Sequence, residues 1–151
     1  MFNLSVEERL KYWRRYRIGL SPLDTEECLD SVVQLWSKAP LVNQHLASDL
    51  PETWPTAWEL ISDNYYDEVG VALGMFYTLY YSEKFDENSI MYDVYKSTDG
   101  IINTVTLENK YVLNYDFGQV TPKEHIDFLP IFQYNHIEIV EAINNDRNNC
   151  N

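Results

Sequence analysis

From Val69 to Ser82 the chain carries no charged residue, and Val69, Val71, Leu73, Met75, Phe76 and Leu79 spread apolar side chains around every face of a helix. A helix that is apolar all round has to be enclosed by other elements. The rest of the chain must therefore wrap around this segment. The capping residues Asp63 and Asn64 predict its start, and the pattern runs to about Ser82. Gly70, Ala72 and Gly74 lie inside it. Each glycine costs about 1 kcal/mol of helix propensity, so close packing by a neighbour is the expected compensation.

With 151 residues, 45% apolar and 15% aromatic, the chain can bury one sizeable core. A single domain over residues 1–151 is expected. Ser5 with Glu8 has the capping-box form and opens a basic helix over 5–17. Asp24 with Glu27 repeats it, for a helix in which Cys28, Val32, Leu35 or Trp36, and Ala39 recur at helical spacing before Pro40. A short helix is expected at 41–47, then a rigid connection, DLPETWPTAW, with Trp54 and Trp58 as anchors.

After the polar break EKFDENS the period changes from 3.6 to 2. Ile90 to Lys96, Ile101 to Leu107 and Tyr111 to Tyr115 predict a three-stranded antiparallel sheet. If Glu108 and Asn109 form the second turn, Leu107 faces Lys110 and Asn103 lies opposite Asn114. A slip would bring Thr104 or Asp116 into the pairing instead. Thr121-Pro122-Lys123-Glu124 predicts a helical turn, and Asn135 with Glu138 caps a last helix, giving C-terminal helices over 121–145 with a frayed tail after Asn144. The fold class is α+β, with N-terminal helices and a buried central helix packed on the sheet.

Charge is uneven. Arg9, Lys11, Arg14, Arg15 and Arg17 stand against only Glu7 and Glu8 in the first 17 positions, a net +3 that leaves −16 on the remainder of a chain of total charge −13. So acidic a body repels phosphate backbones, which argues against direct nucleic-acid binding. The five basic residues are a candidate docking surface for an acidic neighbour or a second copy of the chain. A solvated helix face with Leu10 and Trp13 turned inward is the plainer reading. No apolar run reaches the roughly 18 residues of a membrane span, and a cytosolic protein without a membrane association is expected. Cys28 reads as a small core residue and Cys150 as lying in the polar tail without a fixed partner.

His45, His125 and His136 are scattered, so neither a metal nor a cofactor is indicated. No phosphate-binding or nucleophile-elbow motif is present. The abundant tyrosines suit core packing, and at a surface they favour protein contacts.

WELISDNYYDEVGVALGM followed by IINTVTLENKYVLNYDFG resembles the core of transglutaminase-like proteins, over about 54–118. There a Trp-containing lead-in precedes a cysteine at the N-terminus of a buried helix, beside an acidic residue and then small ones. A helix N-terminus lowers the thiol pKa. The resemblance places Asp67 in the cysteine slot, Glu68 in the acidic one, and Asn103 and Asn114 where the family carries His and Asp. Neither asparagine can take up and return a proton as His does, so the triad is degenerate. On their own chemistry, Asp67 is a carboxylate at a helix N-terminus and the two asparagines pair with each other.

W-P-x-x-W-x-L-I and L-G-M-x-Y-T-L in this segment are also similar to short tailed-bacteriophage proteins. That likeness implies a viral origin and no activity; joined to the degenerate triad it gives the expectation of a non-catalytic interaction or structural protein of a phage, in the host cytoplasm or the virion, whose partners are phage structural or assembly proteins, a host protein, or a second copy of itself. An acidic inhibitor mimicking nucleic acid, and a divergent hydrolase or acyltransferase using Asp67, are the alternative readings.

Overall fold

The computed structural model, which describes residues 1–149, places the apolar segment at the centre of the molecule as α4 (Glu68–Tyr81), with every residue from Val69 to Leu79 buried. Cys150 lies outside the described residues. On one side α4 rests on the sheet, against β1 (Ile90–Ser97) and β2 (Gly100–Leu107). On the other it meets α1 (Val6–Gly19), α2 (Thr25–Trp36) and α3 (Ala57–Asp63). The sheet adds β3 (Tyr111–Leu113), β4 (Val120–Pro122) and β5 (Phe132–Tyr134), and α5 (His136–Asn149) packs near the turn at Pro51–Thr53. Among the described residues no helix is long and apolar enough to cross a membrane.

The close packing expected at the small residues of α4 comes, at Gly74, from a side chain. A Cβ on Gly74 would stand 2.4–2.5 Å from three ring atoms of Trp36, so the indole of α2 lies flat against the bare backbone. One turn later the Thr78 hydroxyl accepts the indole N–H groups of Trp13 and Trp36, each at 3.0 Å, and donates to the Gly74 carbonyl at 2.6 Å. One buried hydroxyl thus satisfies two large aromatic anchors and ties α1 and α2 to α4.

Two of the basic residues in α1 also serve the interior. Arg9 is 4% exposed and donates to the carbonyls of Leu4, Ile61 and Ser62, the latter two in the last turn of α3. Arg17 donates to the Tyr81 carbonyl at the end of α4, and its guanidinium lies 4.2 Å from the Trp13 ring centroid. A cation at a helix C-terminus satisfies orphan carbonyls and opposes the negative end of the dipole. Lys11, Arg14 and Arg15 remain exposed on α1, Lys11 paired with Glu7 at 2.9 Å.

Several boundaries differ from the expected ones. The sheet has five strands in the order β4-β3-β2-β1-β5, not three. The two additional strands are three residues long, too short for alternation to show. Pro122, expected at the start of a helical turn, pairs with Tyr111 on an edge strand, where its missing N–H is tolerated, and the turn Lys123–His125 follows it. The central helix, expected to start at Asp63 or Asn64, is opened by Asp67, and Asn64 with φ 51° ends a separate helix upstream of it, α3. No helix forms at 41–47. The last helix continues through 144 to Asn149, where Arg147 forms an ion pair with Glu59 of α3.

Two outcomes follow from this packing. Gly74→Ala is expected to lower stability by about 1–3 kcal/mol in denaturant titration, although alanine favours helix, because the added methyl collides with the Trp36 ring. His136 stacks on Tyr80 at 3.6 Å and contacts the Tyr81 hydroxyl at 3.1 Å. Burial lowers its pKa below 6.5, with the Glu87 charge opposing in part. The unfolded chain therefore takes up this proton first, and the His136 contribution to stability is constant above about pH 6.5 and falls as pH drops below it. His136→Gln should flatten that part of the decline when unfolding midpoints are compared at pH 7.5 and 5.5.

Candidate functional site

Asp67 is wholly buried at the N-cap of α4. One carboxylate oxygen accepts the Gly70 N–H at 2.7 Å, and the other accepts the N–H groups of His45 at 3.0 Å and Leu46 at 2.7 Å. The first is an N-cap bond. The other two come from a different part of the chain, and they explain why residues 41–47 do not coil. Their amide donors find the Asp67 carboxylate and, through Val42 at 2.8 Å, the Tyr66 carbonyl, in place of carbonyls one turn back. Leu41 bridges to Tyr66 in parallel, and the Ala47 carbonyl accepts the Trp54 indole N–H at 2.8 Å. Residues 41–48 form a strap laid across the tip of the central helix.

Asn103 on β2 is 4% exposed. Its Oδ1 accepts the Ser48 hydroxyl at 2.7 Å and the Tyr92 hydroxyl at 2.9 Å, so the end of the strap is fastened to the sheet at this residue. Tyr92 is pushed well above the usual phenol pKa, first by burial and then by the Asp67 charge, which keeps its hydroxyl a donor. Asp67 and Asn103 are thus linked through Tyr92 and through the strap.

Asn114 reaches Asn103 by a route other than the expected register. The observed pairing is Leu107 with Tyr111 and Val105 with Leu113, one residue away from the pairing that set Asn103 opposite Asn114. Glu108 and Asn109 both take φ 54°, as a tight hairpin turn requires, but Lys110 stays in the loop as a third residue. The ladder ends at Leu113. Asn114 then adopts φ 70°, its N–H bonding the Gln119 carbonyl at 3.2 Å, and its Nδ2 donates to the Asn103 backbone carbonyl at 3.1 Å. The left-handed turn brings together two residues that strand pairing alone would have separated. Thr104, the slip alternative, is buried and donates to the Asp93 carbonyl, and Asp116 is exposed.

Asn103 and Asn114 line one cleft of about 200 Å³, with Leu41, Val71, Ile101, Ile102, Tyr115 and Phe117 as its largely apolar walls. The carboxylate facing this cleft belongs to Glu68, the exposed first residue of α4, and not to Asp67 behind it. Glu68, Ser48 and Tyr92 complete the site beyond the three residues expected. Of these only Glu68 had a sequence signal, as the acidic neighbour of Asp67. Lys11, Arg14 and Arg15 sit on α1 and line none of this cleft.

Among the described residues no group of three His, Cys, Asp or Glu side chains gathers as a metal site. Cys28 is buried in α2, and burial pushes its thiol up to about 11.

No protein-family model matches the sequence, and no curated protein sequence matches it. Solved structures of LapG from Legionella pneumophila are similar to this chain. The calcium-bound form gives a TM-score of 0.66 at 14% identity, covering 88% of this chain and 85% of LapG. Another LapG structure gives 0.68 at 14% identity, covering 87% and 76%, and an EGTA-treated form gives 0.67 at 14%, covering 86% and 74%. The shared feature is the fold, α+β and transglutaminase-like.

Asp67→Ala should cost about 3 kcal/mol in denaturant titration, since it removes a cap and leaves three N–H groups without their acceptor. Glu68→Gln, on an exposed side chain, should cost less than about 1 kcal/mol.

Proposed function

We propose that this chain is a non-catalytic interaction protein built on a transglutaminase-like scaffold whose Cys, His and Asp positions are taken by Asp67, Asn103 and Asn114. One observation carries the reading: the carboxylate in the nucleophile's slot is wholly buried, holds three backbone N–H groups and is covered by the 41–48 strap. A nucleophile needs an exposed lone pair and a base to activate it. Asp67 exposes no lone pair, its Oδ2 lying under the strap with the His45 ring nitrogen 3.5 Å away, and the residues lining the cleft include no thiol and no imidazole.

The surface supports contact with another macromolecule. Phe128, Leu129, Ile131 and Phe132 are exposed in near succession, Leu129 at 87%, beside the edge strand β5. Grouped apolar exposure next to an unpaired strand edge favours association. The likeness of the Trp54–Leu79 motifs to tailed-phage proteins supports a role in an infected cell, in the host cytoplasm or the virion. Phage structural or assembly proteins, a host protein or a second copy are the partners this reading allows.

The test has two arms. Purified protein incubated with peptide-amide and acyl-thiol substrates should turn over at the buffer rate, as should Glu68→Gln and Asn103→Ala. Turnover by the parent chain that either substitution abolishes would overturn the reading. Native mass measured alone and with phage or host lysate should show a defined assembly that Phe128→Ser/Leu129→Ser removes without loss of folding. A monomer that retains nothing would contradict it.

A further inference from the structure

β4 ends one side of the sheet, and its outer edge has no neighbouring strand. The Lys123 N–H bonds the Lys110 carbonyl at 2.9 Å and the Asn114 N–H bonds the Gln119 carbonyl at 3.2 Å, so residues 119, 121 and 123 turn their backbone groups toward β3. Val120 and Pro122 alternate with them and turn outward. They present two carbonyls and the Val120 N–H, which no other backbone group of the described residues bonds. α2 runs alongside, held by Gln34, whose Nε2 donates to the Gly118 carbonyl at 3.2 Å. Between the helix and the strand edge lies a groove made of two adjoining clefts. One, of about 220 Å³, is lined by Glu26, Leu29 and Asp30 of α2 with Tyr111, Val120 and Pro122. The other, of about 360 Å³, shares Glu26, Tyr111 and Pro122 and continues to Lys110, Lys123 and Glu124. Glu124 pairs with His125 at 3.8 Å, whereas Glu26, Asp30, Lys110 and Lys123 form no ion pair among the described residues. One end of the groove is acidic and the other carries two lysines.

Resting on the interaction reading above, we propose that this groove takes an extended segment of a protein partner as a further antiparallel strand, with the residue order acid, apolar, any, base. The basic residue lies opposite Val120 and exchanges both backbone hydrogen bonds with it. Directly opposed residues share a face of the sheet, so its side chain enters the end lined by Glu26 and Asp30. The apolar residue lies opposite Pro122, donates its N–H to the Pro122 carbonyl and packs on Tyr111, which is paired with Pro122 on the same face. The acid lies opposite Lys123, on the face that Lys123 shares with its neighbour Lys110. Addition of a strand to a free edge draws affinity from the main chain and specificity from alternate side chains. Pro122 and Lys123 blunt this edge against indiscriminate pairing, and they leave Val120 as the one position that offers both a donor and an acceptor. Only a segment whose charges match the two ends gains enough from so short an edge. The antiparallel direction follows from Val120, whose N–H and C=O are both met by a single opposing residue in that arrangement.

The probe is the blocked peptide acetyl-Glu-Val-Thr-Arg-amide, titrated into isotope-labelled protein while the backbone amide signal of Val120 is followed. A saturable shift of that signal is expected, together with slower hydrogen exchange at Val120. The same peptide methylated on the arginine backbone nitrogen keeps every charge but cannot donate to the Val120 carbonyl, and it should bind at least about tenfold more weakly. The reversed sequence, acetyl-Arg-Thr-Val-Glu-amide, has the same composition and should bind several-fold more weakly. Glu26→Gln/Asp30→Asn changes two exposed side chains, should leave the protein folded and should weaken the first peptide about fivefold. No shift at Val120, equal binding of the methylated or the reversed peptide, or an unchanged affinity in the double variant would each overturn the inference. Native mass separates this inference from the reading it rests on. A defined assembly with lysate in a protein that ignores the peptide leaves the interaction role standing and removes the groove from it, whereas peptide binding without any assembly keeps the groove and counts against the assembly.

Discussion

The Asp67 carboxylate fixes the centre of this molecule. Three backbone N–H groups converge on it, one from the helix it caps and two from the strap, 22 and 21 residues upstream. A buried charge is tolerated only when hydrogen bonds replace its hydration, and here the fold does so with main-chain donors. The consequences run outward. The strap is held extended, Ser48 at its end reaches Asn103, and Trp54 is anchored on Ala47. The N-terminus of the central helix is a structural joint.

A second constraint acts deeper in the helical layer. On α4, Gly74 takes the ring face of Trp36 from α2, and Thr78 one turn on accepts the indole N–H groups of Trp36 and of Trp13 from α1. Arg9 and Arg17 close the C-terminal ends of α3 and α4. A basic stretch that looks like a docking surface in one dimension is thus divided in three: two residues hold the helices together, and Lys11, Arg14 and Arg15 face solvent. The proposed contact with partners rests instead on the exposed apolar residues near β5.

Much of the helical layer was legible because its signals are local. Ser5, Asp24 and Asn135 each cap the helix that their spacing to Glu8, Glu27 and Glu138 announces. Thr56 with Glu59 forms a full capping box for α3, a signal present in the chain that the reading of a rigid connection there passed over. β1 and β2 showed in their alternation. β4 and β5 did not, because three residues cannot display a period. The strap was misread because what decides it is the Asp67 carboxylate, a partner distant in sequence. Asn103 and Asn114 meet, though not through the expected register, by way of a three-residue loop and one left-handed backbone turn that no pairing rule would have indicated. Glu68, and not Asp67, faces the cleft, since rotation about a helix axis at its first turn depends on coordinates.

The most direct measurement is residue-resolved amide hydrogen exchange of the native protein across 41–48. If Asp67 is the joint described, the amides of His45 and Leu46 exchange as slowly as those of α4, although they lie in an irregular segment, while those of Asn43 and Gln44 exchange fast. Uniformly fast exchange through the whole strap would contradict the account.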